Sequence, residues 1–181
     1  AGFASAIITV PTPLKDGKPN LRFIESAAAS LAPHISPGSL IVLESTTYPG
    51  TTEELLVPIL ESGNKLVAGK DFHVGYSPER IDPGNTQWNL LNTPKITSGI
   101  NGASASAVAE LYSSFGITVV PVSGTREAEL TKLLENTFRH VNIALVNELA
   151  MFSSQLGVNI WEAIDAASTK PFGFMKFLPG P

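Results

Sequence analysis

Three hydroxyl residues stand together shortly after an apolar run of the chain. The run covers residues 40–43, Leu-Ile-Val-Leu, and residues 45–47 are Ser, Thr and Thr. Side-chain hydroxyls both donate and accept hydrogen bonds, so this cluster can hold a polar ligand or position a water molecule. Further on, Thr51 precedes Glu54 by three residues, which is the spacing of a helix capping box. The segment therefore predicts a buried strand, a ligand-facing turn and a capped helix.

A lysine and an asparagine four residues apart, Lys132 and Asn136, are a second candidate for chemistry. Residues at this spacing share one face of a helix. An ammonium beside an amide can stabilise an oxyanion or bind a sugar hydroxyl. The alternative interpretation is a solvated helix face. Its buried side would then consist of five apolar residues, Leu130, Leu133, Phe138, Val141 and Leu145.

Two other strand ends carry candidate residues. Residues 77–79, Ser-Pro-Glu, would place the Glu79 carboxylate at the same sheet edge as the hydroxyl cluster, where it can act as a general base or hold a water. The alternative is an ordinary surface glutamate. Residues 11–13, Pro-Thr-Pro, end another strand, and because proline fixes φ and lacks an N–H they suit a rigid wall against a flat ligand. They also fit a simple strand terminator.

Alternating elements must position these residues. The sequence predicts strands at residues 6–10, 40–44, 72–76, 95–97 and 117–122, and helices at 21–31, 52–61, 103–115, 126–156 and 160–167. This alternation is typical of βαβ units and predicts an α/β fold with a parallel sheet, whose ligands bind beyond the carboxyl ends of the strands. Residues 126–156 contain neither proline nor glycine, so they predict one long helix. We therefore expect a boundary near residue 124.

The composition narrows the classes of function. The 181 residues are 43% hydrophobic and 15% charged, which argues against disorder. A net charge of −4 without a basic run argues against nucleic acid or an anionic membrane as the partner. Because there is no cysteine, disulfides and a cysteine nucleophile are excluded within these residues, and the three histidines lack the spacing of metal ligands. We therefore expect no metal and an intracellular, cytoplasmic setting.

Five segments in one order, at residues 10–14, 44–52, 76–84, 129–136 and 178–181, resemble the nucleotide-sugar dehydrogenases of the UDP-glucose/GDP-mannose dehydrogenase family. Residues 44–52, Glu-Ser-Thr-Thr-Tyr-Pro-Gly-Thr-Thr, are more similar to the UDP-N-acetylhexosamine 6-dehydrogenase branch. The resemblance implies the second half of a Rossmann-like parallel sheet at residues 1–124. An all-α central domain with one long helix would follow at residues 125–181.

The resemblance also implies a mechanism. The C6 alcohol of a UDP-N-acetylhexosamine is oxidised to the uronic acid by two hydride transfers to NAD, and a cysteine captures the intermediate aldehyde. Lys132 would stabilise oxyanionic intermediates with the help of Asn136. Thr46 would position a water, and Glu79 would act in hydrolysis of the thioester. The implied NAD contacts are Pro11, Thr12, Ser45, Thr46 and Glu79. The implied substrate contacts are Glu79, Arg80, Lys132, Asn136 and Phe172.

Two features of the resembling family are missing from the sequence. A glycine-rich phosphate loop would precede residue 1, and a catalytic cysteine would follow shortly after residue 181. We therefore expect an interior fragment, inactive alone, of a homodimeric enzyme that serves polysaccharide-precursor synthesis. Three alternatives stay open: a UDP-glucose or GDP-mannose 6-dehydrogenase, another dehydrogenase of the β-hydroxyacid type, and a non-catalytic module that dimerises through the long helix.

Overall fold

The computed structural model describes residues 2–180, and these form two compact units that divide between Leu133 and Leu134. The strands are β1 Ser5–Ile8, β2 Leu14–Lys15, β3 Lys18–Pro19, β4 Leu40–Leu43, β5 His73–Tyr76, β6 Lys95–Gly99 and β7 Val119–Pro121. The helices are α1 Arg22–Leu31, α2 Val57–Ser62, α3 Gly102–Ser114, α4 Thr125–Gln155 and α5 Ile160–Ser168, with a 3-10 turn at Ala32–His34 and a π-helical turn at Thr52–Leu56. The predicted α/β class with one long helix is confirmed.

The main sheet has the strand order β1-β4-β5-β6-β7. Strands β1, β4 and β5 run parallel, but β6 pairs antiparallel with β5, and β7 is parallel to β6. The predicted parallel sheet is therefore confirmed except at the β5–β6 pair. The physical reason is that residues 77–94 form no helix, whereas a parallel return normally needs a helical crossover. Strands β2 and β3 form a separate hairpin that the sequence analysis did not predict.

Strand β4 lies at the centre of the hydrophobic core, and all four of its residues are buried. One face of the strand belongs to a cluster with Ile24 of α1 and with Phe72. The other face belongs to a cluster with Val108 and Tyr112 of α3. Because both faces are covered, the strand needs an uninterrupted apolar run rather than an alternating pattern.

The predicted capping box at Thr51 and Glu54 is wrong. Thr51 is already helical, with φ −58° and ψ −40°, and its side chain caps no helix amide. Its hydroxyl donates instead to the Tyr48 carbonyl at 2.8 Å. The first amides of this helix are bound by a carboxylate from elsewhere in the chain, Glu129 of α4, which accepts from Thr52 N at 2.8 Å. A distant residue has therefore taken the place of the local cap.

Helix α4 is 31 residues long and spans the division between the two units. Of the five apolar residues predicted as its buried side, Leu133 is half-buried, and Leu130, Phe138, Val141 and Leu145 are between 47% and 60% exposed. The interpretation of this stripe as a buried side is therefore wrong for this chain. Within the described residues, no helix combines the length and apolarity needed to cross a membrane. The domain boundary near residue 124 stays a prediction.

Candidate active site

One edge of the main sheet collects the ends of four strands. Strands β1, β4 and β5 finish there, and because β6 is reversed, its first residue starts there. A cavity of about 270 Å³ opens at this edge. Its lining residues are Thr9, Glu44, Ser45, Thr46 and Glu79. The hydroxyl cluster and the Glu79 carboxylate therefore share one pocket in the first unit, as the parallel part of the sheet requires.

Side-chain hydroxyl groups form hydrogen bonds between the segments that follow β1 and β4. The buried Ser45 donates its hydroxyl to the Val10 carbonyl at 2.7 Å. Thr12 donates to the Thr46 carbonyl at 2.8 Å. These two hydroxyls are thus used to shape the pocket wall. The Thr46 side chain, on a half-buried residue, lines the cavity.

Glu79 is held by backbone amides of its own turn. Its Oε1 accepts from Arg80 N at 2.7 Å and from Ile81 N at 2.5 Å. Its Oε2 lies 3.9 Å from the Lys95 Nζ, and its side chain is 45% exposed. These two bonds to backbone amides fix the direction of the carboxyl group. The Glu79 side chain is therefore an oriented hydrogen-bond acceptor at the cavity rather than a mobile surface glutamate.

Lys132 reaches this edge from helix α4. Its Nζ donates to the backbone carbonyl of Glu79. The lysine lies in the second turn of the helix, which places a positive charge beside the turn that carries the Glu79 carboxylate. This contact lies wholly within the first unit.

A buried carboxylate holds the beginning of α4 in place. Glu129, which is 0% exposed, accepts from Gly50 N at 2.6 Å, from Thr52 N at 2.8 Å and from Thr52 Oγ1 at 2.7 Å. Burial raises the pKa of Glu129 above its ordinary value, and the three donors oppose that rise. Glu129 precedes Lys132 by three residues, so the same helical turns that carry the lysine are tied to the Pro-Gly turn after β4.

Sequence reasoning missed a second buried charge cluster at this edge. Lys95, 4% exposed, lies with its Nζ 2.9 Å from Glu44 Oε1. The Tyr112 hydroxyl donates to the same Glu44 oxygen. Burial, followed by the charge of Glu44, raises the pKa of Tyr112. The only sequence signal was that Glu44 stands in the hydroxyl segment; nothing local indicated that β6 would bring Lys95 to it.

The remaining predicted site residues are not all brought to this pocket. Pro11 is exposed beside Thr12 on the β1 exit. Arg80 donates from Nη1 to the Pro94 carbonyl at 2.6 Å. Asn136 belongs to the second unit, one helical turn beyond Lys132 on α4. Phe172 also belongs to the second unit, where it is 71% exposed on the loop after α5.

The side chains around the cavity offer hydrogen-bonding groups of the kind that a dinucleotide needs. Among residues 2–180 no three His, Cys, Asp or Glu side chains are grouped in a way that could hold a metal ion. The cavity has room for a nicotinamide-sized ring and offers hydroxyls and carboxylates to a carboxamide and a ribose. The sequence has no Gly-x-Gly-x-x-Gly loop for a diphosphate. The hydroxyls and carboxylates present therefore fit polar groups of NAD.

Comparison with known proteins agrees with this geometry. Residues 3–116 match the NAD binding domain of the UDP-glucose/GDP-mannose dehydrogenase family, and residues 126–181 match the central domain of that family. NAD is accordingly the cofactor of this domain. The chain is 44% identical to Protein CapL of Staphylococcus aureus over 96% of its own length and 41% of that protein's. It is 40% identical to a UDP-N-acetyl-D-glucosamine 6-dehydrogenase of Pseudomonas aeruginosa over 96% of its own length and 42% of that protein's.

A solved structure gives the same picture. The chain superposes on the UDP-D-ManNAc dehydrogenase of Pyrococcus horikoshii with a TM-score of 0.91 at 40% identity, covering 99% of this chain and 42% of that one. The chain thus spans about two fifths of the length of these relatives. On the two matched domains together, this chain belongs to the UDP-glucose/GDP-mannose dehydrogenase family.

Proposed function

We propose that this chain is the interior part of an NAD-dependent nucleotide-sugar 6-dehydrogenase. The full-length protein would oxidise the C6 alcohol of a UDP-N-acetylhexosamine to the uronic acid by two hydride transfers. One observation carries the substrate class: relatives that are 37–41% identical over at least 91% of this chain are named UDP-N-acetyl-D-mannosamine or UDP-N-acetyl-D-glucosamine dehydrogenases. The chain alone would be inactive, since it contains no cysteine to capture the aldehyde.

Three residues of the first unit would act on the sugar carbon. NAD, when bound, supplies the acceptor for the hydride. The Lys132 ammonium would stabilise the negative charge that develops on oxygen. A fixed cation beside a pocket of low dielectric stabilises such a charge more strongly than a cation in water does. Thr46 would position the hydrolytic water from the pocket wall. Glu79, whose side chain is oriented by two backbone amides, would accept a proton from that water.

The other site residues would serve binding. Pro11, Thr12 and Ser45 would form the wall against the nicotinamide end of NAD, with the two hydroxyls fixing the wall rather than contacting the ligand. Asn136 would assist Lys132 from the next turn of α4. Arg80 and Phe172 would contact the sugar nucleotide together with Glu79. We place the NAD half-domain at residues 1–124 and the central domain at residues 125–181, in a cytoplasmic enzyme.

We also propose a homodimer built on helix α4. In the second unit, Leu134, Phe138, Val141 and Leu145 repeat at spacings of four and three residues, and all are about half exposed or more. Spacings of this kind form a continuous apolar stripe on one face of a helix. A continuous exposed apolar stripe of this kind favours contact with a protein partner. Sedimentation of the full-length protein as a monomer would contradict this proposal.

The test is an assay of the full-length protein with NAD and a panel of nucleotide sugars. We expect two NADH for each molecule of a UDP-N-acetylhexosamine consumed. Preference for UDP-glucose or GDP-mannose would replace the substrate class while keeping the enzyme class. No turnover with any nucleotide sugar would overturn the function and favour a non-catalytic module. The variant Lys132→Met should lower kcat by about 100- to 1000-fold, the loss typical of removing one oxyanion-stabilising group.

A further inference from the structure

A buried lysine, Lys95, has no role in the mechanism proposed above. It is 4% exposed, and a buried ammonium is costly unless other groups compensate its charge. Here three groups do so. Its Nζ lies 2.9 Å from Glu44 Oε1 and 3.9 Å from Glu79 Oε2, and it is 3.5 Å from the Pro78 carbonyl that it donates to. The lysine therefore joins the end of β4 to the turn after β5.

The charges in this cluster do not balance. Two carboxylates face one ammonium, and both carboxylates line the cavity at the sheet edge. The Glu44 side chain is only 10% exposed, so it is screened little by water. Without the cation, the two carboxylates would repel each other across the pocket. The Glu79 side chain is 45% exposed; the Arg80 and Ile81 amides hold its Oε1, and the ammonium faces its Oε2.

Other groups keep Lys95 and Glu44 in place. The Tyr112 hydroxyl donates to Glu44, and the Tyr112 ring centroid lies 4.8 Å from the Lys95 Nζ. A cation over an aromatic face is attracted by the ring. Because Lys95 is the first residue of the antiparallel strand β6, its backbone is fixed by the sheet. The ammonium is thus a fixed point that faces the second oxygen, Oε2, of the Glu79 carboxylate.

We propose that Lys95 is a positioning residue that holds the Glu79 carboxylate and its turn in place for the reaction, with Glu44 as the buried counter-charge that keeps the ammonium at that point. This inference rests on the proposed function, because it assigns Lys95 to the support of Glu79 in that pocket. It assigns no chemistry to Lys95 itself.

The experiment compares Lys95→Met with the double variant Glu44→Gln/Lys95→Met in the full-length protein. Turnover is expressed per folded molecule, from circular dichroism and gel filtration. In Lys95→Met we expect kcat to fall about 100-fold, a loss typical of misplacing a catalytic group by about 1 Å, with little change in KM. The double variant removes the buried charge that Lys95→Met leaves uncompensated. It should recover the melting temperature but not kcat, because Glu79 still lacks its partner.

The outcomes separate positioning from a structural role. If the double variant recovers kcat together with the melting temperature, Lys95 serves only the fold and the inference is overturned. A Lys95→Met enzyme with the kcat of the wild type overturns it as well. If neither variant folds, Lys95→Arg keeps the charge and moves the donor atoms; a fall in kcat supports the inference and an unchanged kcat contradicts it. Lys65→Met, an exposed lysine of the same unit, is the control.

Failure of this inference can be distinguished from failure of the proposed function. If the wild-type protein turns over no nucleotide sugar, the function itself is wrong. If the wild-type protein turns over a nucleotide sugar but the double variant recovers kcat together with the melting temperature, only the role assigned to Lys95 is wrong.

Discussion

Replacement of Glu129 by alanine is the sharpest test of how α4 is fastened to the sheet edge. The carboxylate is fully buried and accepts three hydrogen bonds, two of them from the backbone amides of Gly50 and Thr52. Alanine would leave all three donors without their acceptor. A buried donor left unsatisfied costs about 1–3 kcal/mol, and part of that cost returns if the turn opens to water. We expect a loss of about 3 kcal/mol in the free energy of unfolding.

Glutamine is the matched variant, because it keeps the volume of Glu129 while it removes the charge and replaces one acceptor oxygen by an NH₂ group. Its amide oxygen can still accept from Thr52, but its NH₂ group faces the Gly50 N–H, so one bond is lost. The expected cost is therefore smaller, about 1–3 kcal/mol. The exposed ion pair of Arg126 with Glu54 lies on the same end of α4, and its removal by Arg126→Ala should lower stability much less than Glu129→Ala, because water screens an exposed pair.

Urea unfolding followed by circular dichroism measures these changes, and amide hydrogen exchange locates them. In Glu129→Ala the amides of Gly50 and Thr52 should lose protection, while core amides of β4 lose only what the global destabilisation requires. If those two amides keep their wild-type protection, or if Glu129→Ala is no less stable than Arg126→Ala, the hydrogen bonds described here do not anchor the helix.

The same carboxyl makes stability depend on pH in a defined direction. Burial raises the pKa of Glu129 in the folded state above its ordinary value, so the native chain binds this proton more tightly than the unfolded chain. As the pH rises from that value through the higher folded pKa, this group lowers the free energy of unfolding. Glu129→Gln should remove that part of the pH dependence.

Two further predictions concern the tyrosines and the second unit. Burial raises the pKa of Tyr76 and Tyr112, so as the pH rises above about 10 the unfolded chain loses these protons first and the free energy of unfolding falls. An alkaline absorbance titration should show their phenolate signal only as the fold is lost. A phenolate signal from these tyrosines in the intact fold would contradict their burial. The Asn147 amide exchanges two hydrogen bonds with Gly180, at 2.8 and 2.9 Å; Asn147→Ala should raise proteolysis and amide exchange at Gly180 without changing β4, and unchanged exchange there would refute the contact.

Much of the active-site edge could be predicted from local patterns. The run at residues 40–43 had to be a strand covered on both faces, and the parallel arrangement of β1, β4 and β5 then brought residues 45–46 and Glu79 to one edge. The capping box failed because Thr51 is already helical, and the amides that such a box would use, Thr51 N and Glu54 N, donate to the Tyr48 and Gly50 carbonyls. The apolar side of α4 was misassigned because periodicity shows that a stripe exists but not what covers it.

The sequence by itself determined the element order, the buried strand, the hydroxyl turn and the long helix, because each depends on the period of apolar residues and on Gly and Pro positions within a short window. Only the tertiary structure decided the direction of β6, since strand pairing is set by connections and by neighbours distant in the chain. That direction places Lys95 opposite Glu44 and Glu79. The buried charges that shape the pocket arise from this long-range pairing, which no local pattern encodes.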